Sequence, residues 1–300
     1  MNLCYELGVR LYKCKNKNFQ TNTGSRGDNS EKYWEWQFET SGNLFKKNWD
    51  LDSQIREKRI LDIGCGLGGR SCYLITRGAV EVVGLEINSA ELAEAGRLAD
   101  KKLDSGDRKN IKFIGIKENE RPAIGAFDIV LLIDVLEHVK SPVDTLNFAF
   151  DMLKPGGICY FSTVGWYHYN ASHLMDILPI PFATLFFSDR VIIDAVRKIV
   201  SDPAYIPTMW DSDPPGARWE GIKDLRDRPG EYLNKITIGN LKKIINESKF
   251  CSGKLRVEGF SWTRAQILRC LNFLAQIPLI QEVYHSGCFG RLTAKERDRC

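Results

Sequence analysis

The run Leu61-Asp62-Ile63-Gly64-Cys65-Gly66-Leu67-Gly68-Gly69, followed one helix length later by Val82-Val83-Gly84-Leu85-Glu86, combines residue types that can hold a nucleoside. Apolar Ile60-Leu61 suits a buried parallel strand, and glycines let backbone approach a ligand where any Cβ would collide. The next helix would begin against that ligand. Glu86 follows the glycines by about twenty residues, at the expected end of a second strand, where its two carboxylate oxygens can accept from both ribose hydroxyls.

Asp62 narrows the choice of ligand. The spacing is G-x-G-x-G, with an acid two residues ahead of the first glycine. A dinucleotide would bring its pyrophosphate to this turn, where a carboxylate repels it. S-adenosylmethionine has no phosphate and carries a cationic sulfonium and an α-ammonium group, so an acidic entrance strand complements it. Nicotinamide dinucleotides remain the competing reading of this segment, since their proteins also open a helix with glycines.

Hydrophobic periodicity supplies the elements that position these residues. It predicts strands at 59–63, 81–86, 111–116, 127–133 and 158–163. Helices are expected from 68, at 89–104, and at 142–153 closed by Lys154-Pro155-Gly156-Gly157. Such alternation means an α/β fold with a doubly wound, mostly parallel sheet, whose carboxyl edge carries the ligands. From Val164 to about Lys235 the rhythm breaks, and this stretch is expected as an inserted substrate lid after the fifth strand. A helix at 237–248 capped by Thr237, a strand at 254–261, a long apolar helix at 265–284 and a strand near 288–294 would complete seven strands, the last antiparallel. The main domain is therefore expected over 31–163 and 236–294. Residues 1–30 are polar after a short apolar opening and are expected as a flexible arm, with order beginning near Glu31. Tyr33, Trp34, Trp36 and Phe38 fall on a helix ahead of the first strand.

Composition excludes several classes. Over 300 residues the net charge is only +4, and no dense basic run appears, so nucleic acid is not indicated. The nine cysteines are scattered and odd in number, as in a reduced cytoplasmic protein and unlike a disulfide framework or zinc site. No apolar stretch is long enough to span a bilayer. The nearest, Ile177–Phe187, is short and holds two prolines, Pro179 and Pro181; peripheral contact with a membrane surface stays open for it.

Five motifs stand in register: Leu61–Gly66, Gly84-Leu85-Glu86, Phe127-Asp128-Ile129-Val130, Val135-Leu136-Glu137-His138-Val139 and Leu153–Gly157. Together, over roughly residues 55–163, they resemble the class I S-adenosylmethionine-dependent methyltransferases, whose sheet is Rossmann-like. The Leu-Glu-His-Val stretch is most similar to a small-molecule branch that includes ubiquinone-biosynthesis O-methyltransferases. The resemblance implies that Gly64, Cys65, Gly66 and Gly68 face the methionine and ribose portions, with Asp62 steadying the loop or a water near the ammonium group. It implies Glu86 for the ribose, Ile87 against the adenine, and Ile133 and Asp134 on the methionine side. Where relatives place an acid after the third strand to meet the adenine amine, this chain has Lys117-Glu118-Asn119 without the usual Gly-Asp pair, and the candidate there is Glu118 or Asn119.

The cluster Asp134-x-x-Glu137-His138 is similar to one implicated in magnesium binding in that branch. The same Glu-His also orders loops in relatives without metal, so no metal ligand is assigned here and magnesium stands as the lesser alternative. His138 is the candidate general base. Acceptor-facing candidates are Tyr33, Trp36, Trp166, Tyr167, His168, Trp210 and Trp219, and the apolar content of the insertion, with Phe182, Leu185, Phe186 and Phe187, favours a small hydrophobic acceptor. The expected activity is methyl transfer, to oxygen ahead of nitrogen or carbon. The alternatives are a nicotinamide-dependent oxidoreductase, which Asp62 opposes, and a non-catalytic methyltransferase-like partner protein, in which decay of the glycine loop or Glu86 would be expected. The sequence leaves the oligomeric state open.

Overall fold

Seven strands join in one sheet in the computed structural model, which describes residues 3–18, 26–117, 120–170, 174–203, 205, 233–250, 253–259 and 272–294. They are β1 (Arg59–Ile63), β2 (Glu81–Glu86), β3 (Ile111–Gly115), β4 (Phe127–Ile133), β5 (Leu153–Thr163), β6 (Lys254–Glu258) and β7 (Gly287–Thr293). The helices used below are α1 (Leu3–Asn18), α2 (Arg26–Trp49), α3 (Gly69–Thr76), α4 (Ser89–Lys102), α5 (Ser105–Arg108), α6 (Pro142–Asp151), α7 (Leu174–Ile177), α8 (Ala183–Phe186), α9 (Asp189–Val200) and α10 (Ile238–Glu247).

Across the sheet the order is β3-β2-β1-β4-β5-β7-β6, with β7 antiparallel to both neighbours and the other pairs parallel. The chain runs outward from β1 to β3, then returns to lay β4 on the other side of β1. The crevice beyond the carboxyl ends of β1 and β4 is therefore the topological switch point, where such sheets bind ligands.

Successive strand side chains face opposite layers, which explains the near-continuous apolar runs of β1 and β4. Ile60, Val82, Ile129 and Leu131 pack with Phe45 of α2, Leu74 of α3 and Leu98 of α4. Their neighbours Leu61, Val83, Val130 and Leu132 pack with Leu146 of α6 and Leu241 and Ile245 of α10. Thr237 caps α10 as expected, its hydroxyl accepting from the Asn240 amide at 3.1 Å.

Four expectations need correction. Residues Leu3–Asn18 form a helix, and order does not wait for Glu31: fully buried Cys4 joins a third core with Leu178, Ile192, Val196 and Ile199, and Gly8 lies so close that a Cβ there would sit 2.3 Å from Leu178 Cδ1. Lys154–Gly157 do not end the helix in a turn; they lie within β5, because the Gly156 amide donates to Ala294 O and the Ala294 amide to Gly157 O, extending the ladder with β7. The strand expected to 261 ends at Glu258. No long helix occupies the described part of 265–284: short 3₁₀ turns at Asn272–Gln276 and Ile280–Glu282 are separated by Pro278, which lacks an N–H, and by Leu279 at φ +73°. Residues 265–271 of that expectation lie outside the described residues.

Candidate active site

β1 delivers the chain to the crevice and the glycine loop turns it into α3. Gly64, Gly66 and Gly68 all have positive φ, at +71°, +53° and +77°. The Gly64 and Cys65 amides both donate to Leu85 O, at 2.8 and 3.1 Å, which ties the loop to β2. The reason for glycine differs along the loop. At Gly68 a Cβ would meet the Phe113 ring at 2.6 Å, so the protein's own packing demands it, whereas Gly66 faces nothing nearer than Glu91 Oε2 at 3.3 Å and is the residue that can admit a ligand.

Glu86 ends β2 with its carboxylate already engaged. Oε2 accepts from the Gly66 amide at 2.9 Å, and Oε1 from the Ile87 and Asn88 amides at 2.8 and 3.0 Å. A carboxylate has about four acceptor positions, so these bonds leave one, on Oε2. The sequence reading of two free oxygens is thereby reduced to a single acceptor for a ribose hydroxyl. Ile87, next along, is exposed beside it.

Asp62 is buried in β1, and its Oδ2 accepts from Ser71 Oγ at 2.5 Å, anchoring the first turn of α3 to the sheet. Burial pushes its carboxyl up to about 6, against the opposing hydrogen bond from Ser71. Cys65 is buried too, and desolvation drives its thiol far above the ordinary range, so it is inert filling for the loop.

Beyond buried Ile133, Asp134 adopts φ +57°, a costly conformation for a non-glycine residue. The fold over-determines it: its amide donates to Ser162 O at 3.1 Å and its Oδ1 accepts from Ser162 Oγ at 2.7 Å. Its Oδ2 lies 3.9 Å from Arg70 Nη2. Arg70 in turn places its guanidinium 5.6 Å from the centre of the Trp36 ring, and Trp36 stacks on Tyr33 at 5.8 Å. Arg70 is buried and its Nε has no hydrogen-bond partner. Sequence reasoning missed Arg70. A cation in the first turn of a helix opposes the helix dipole, and that misplacement was the available signal.

Glu137 is buried behind Asp134 and accepts from Thr163 Oγ1 at 2.8 Å. Its 3₁₀ turn, Leu136–His138, is gripped from the far side of the insertion: the Asn234 amide donates to Glu137 O, and Asn234 Nδ2 to Leu136 O and Val139 O. His138 is half-buried on this turn. Asp134 and Glu137 thus bond to different serine and threonine hydroxyls, and among the described residues no group of three or more His, Cys, Asp or Glu side chains is arranged to hold a metal ion.

The acceptor-facing candidates divide. Tyr33 and Trp36 lie on α2 beside Arg70 and the loop. Trp166 and His168 are instead buried in and beside the third core. The Trp166 amide donates to Ile236 O, its carbonyl accepts from Thr184 Oγ1, and the His168 ring packs 4.9 Å from that of His285. Tyr167 packs on the same core. Their order after β5 suggested the acceptor side, but the insertion uses them to build its own interior. Glu118, Asn119, Trp210 and Trp219 lie outside the described residues.

A sequence profile for a methyltransferase domain matches residues 33–189. Ubiquinone biosynthesis O-methyltransferase from Pseudomonas aeruginosa is 35% identical over 123 residues, which is 41% of this chain and 51% of that protein. The enzyme of the same name from Pseudomonas fluorescens is 32% identical over 145 residues, 46% and 61% of the two chains. The chain thus spans about half the length of the first of these curated relatives. Among solved structures, a putative sarcosine dimethylglycine methyltransferase from Galdieria sulphuraria is similar at 11% identity, TM-score 0.49 and 86% coverage of each chain. The profile takes in the glycine loop, Glu86, Asp134 and the whole of β1 to β5, which sets the nicotinamide reading aside. The chain belongs to the class I S-adenosylmethionine-dependent methyltransferases.

Proposed function

We propose that this methyltransferase transfers its methyl group to an oxygen of a small hydrophobic acceptor. The observation that carries the choice of oxygen is the naming of both Pseudomonas relatives as O-methyltransferases of ubiquinone biosynthesis. The apolar acceptor is supported by the apolar content of the insertion, with Phe182, Leu185, Phe186 and Phe187. We retain residues 164–235 as a substrate lid, with α1 added to it through Cys4 and Gly8. A reducing cytoplasmic setting belongs to the same proposal and is supported by Cys65, Cys72, Cys159 and Cys288, all buried thiols outside any disulfide.

The residues present fit the cofactor. Glu86 Oε2 keeps one acceptor for the ribose, Gly66 leaves room above the loop, and the unpartnered Arg70 Nε–H is suited to an α-carboxylate. Asp62 and Asp134 supply negative charge for the ammonium end, with Ile133 beneath and Ile87 for the adenine. Bound S-adenosylmethionine supplies an electrophilic methyl on sulfur, so the protein's task is to align the acceptor in line with it and exclude water. His138, held on the turn that Asn234 grips, takes the hydroxyl proton of the acceptor. Magnesium is given no role in this proposal, and no step runs through it.

The test is transfer of labelled methyl from S-adenosylmethionine into organic-soluble and water-soluble fractions of a cell extract, with the product identified by mass. A labelled methoxy compound in the organic fraction is expected. Label confined to water-soluble amines would overturn the reading.

A further inference from the structure

Glu86 alone leaves one of the two ribose hydroxyls without a carboxylate. Its oxygens accept from the Gly66, Ile87 and Asn88 amides, and one acceptor position remains, on Oε2. A ribose presents two neighbouring hydroxyl donors, so a second acceptor beside the same loop is required.

The first turn of α4 provides it. Asn88 caps this helix, its Oδ1 accepting from the Ala90 and Glu91 amides at 3.0 and 3.3 Å. Glu91 stands three residues after the cap, where a glutamate ordinarily reaches back to the cap residue's own amide and closes a capping box. Here that amide already donates to Glu86 Oε1 at 3.0 Å. Half-buried Glu91 is turned to the glycine loop: its Oε2 lies 3.3 Å from the position a Cβ on Gly66 would take, and no other atom of the described residues beyond the loop comes within 4 Å of that position. Gly66 is also the residue whose amide donates to Glu86 Oε2 at 2.9 Å. Two carboxylates from two elements, the end of β2 and the start of α4, therefore meet at the one glycine that leaves room for a ligand. Desolvation first, and then the charges of Asp62, Glu86 and Glu91, push the Cys65 thiol up, as expected of carboxylates gathered around one loop.

We propose that Glu91 is a second ribose-binding carboxylate, accepting across the space above Gly66 from the hydroxyl that Glu86 cannot serve. This pairing rests on Glu86 serving the ribose, as read above, and holds whichever acceptor is methylated.

Calorimetric titration of the full-length protein with S-adenosylhomocysteine and its 2′-deoxy and 3′-deoxy analogues tests it. The native protein should bind the parent compound more tightly than either analogue. In Glu91→Ala, affinity for the parent should fall about tenfold, whereas affinity for the one analogue that lacks the hydroxyl served by Glu91 should stay within about twofold of native. Alanine is a strong helix former and the Asn88 cap remains, so α4 should persist, which urea unfolding of the ligand-free variant checks. Glu91→Gln keeps an acceptor oxygen at this position and should recover most of the affinity, the opposite of the outcome expected for glutamine at Glu86. Unchanged affinity of Glu91→Ala for the parent would overturn the assignment. So would an equal loss for all three ligands, the outcome if Glu91 acts on the ammonium end or only orders the loop. A native protein that binds all three alike would refute Glu86 as the ribose ligand too, whereas equal losses in the variant refute Glu91 alone.

Discussion

Replacing Glu86 by alanine should weaken S-adenosylmethionine binding by the value of one charge-assisted hydrogen bond. Three backbone amides already occupy its carboxylate, at 2.8, 2.9 and 3.0 Å, leaving one acceptor position on Oε2. A hydrogen bond to a charged group contributes about 1.5–3 kcal/mol, so affinity should fall roughly ten- to 150-fold. A second consequence separates this arrangement from a carboxylate free at both oxygens. Glu86→Gln should be no milder than alanine, because either orientation of the amide sets its NH₂ against an N–H, that of Gly66 or those of Ile87 and Asn88. Both variants also lose loop anchors, so urea unfolding of the ligand-free proteins should show about 1–3 kcal/mol of destabilisation. Calorimetric titration of each folded variant gives the binding loss separately. An alanine variant that binds within twofold of the native protein, or a glutamine variant that binds normally, would refute the reasoning.

Three other perturbations have defined outcomes. Burial holds Asp62 near 6, above the roughly 3.9 of an unfolded aspartate, so the folded protein carries the extra proton between these values and native stability is lost as pH rises through them. In urea titrations Asp62→Asn should therefore gain about 2–3 kcal/mol on the native protein between about pH 4 and pH 7, and a constant difference would contradict the assignment. Arg70→Leu should reduce S-adenosylmethionine affinity about tenfold or more but leave adenosine binding unchanged, if the guanidinium serves the α-carboxylate; equal loss for both ligands would show a structural role instead. Gly68→Ala combines φ +77° with a Cβ 2.6 Å from Phe113, and should cost about 2–5 kcal/mol in thermal or urea unfolding. Adding Phe113→Ala should recover only the steric part, and full additivity of the two changes would argue against contact.

The sheet was legible in the sequence wherever a strand is buried on both faces. β1, β2 and β4 read directly as apolar runs, and the acid ending β2 and the glycines after β1 were found because local spacing fixes them. What escaped notice depends on distant partners. The amino-terminal stretch reads as polar, and the value of Cys4 and Gly8 appears only once α9 and Leu178 are opposite. Asn234 grips Leu136 from 98 residues away, and nothing near either residue announces the pair. Apolar content at 265–284 imitated a helix, although Pro278 was visible and forbids an uninterrupted one. Trp166 and His168 were placed at the acceptor by chain order alone, and their burial with Ile236, Thr184 and His285 shows that order after β5 does not fix which way side chains face.

The central claim is that the loop at Gly64–Gly68 and the end of β2 together cradle the methyl donor. Amide hydrogen exchange of the native protein with and without S-adenosylmethionine tests it without altering a residue. Protection is predicted at Gly66 through Arg70 and at Ile87 and Asn88, with Asp134 and Val135 following and the β6–β7 edge unchanged. Protection confined to other segments, with these amides exchanging as in the free protein, would contradict it.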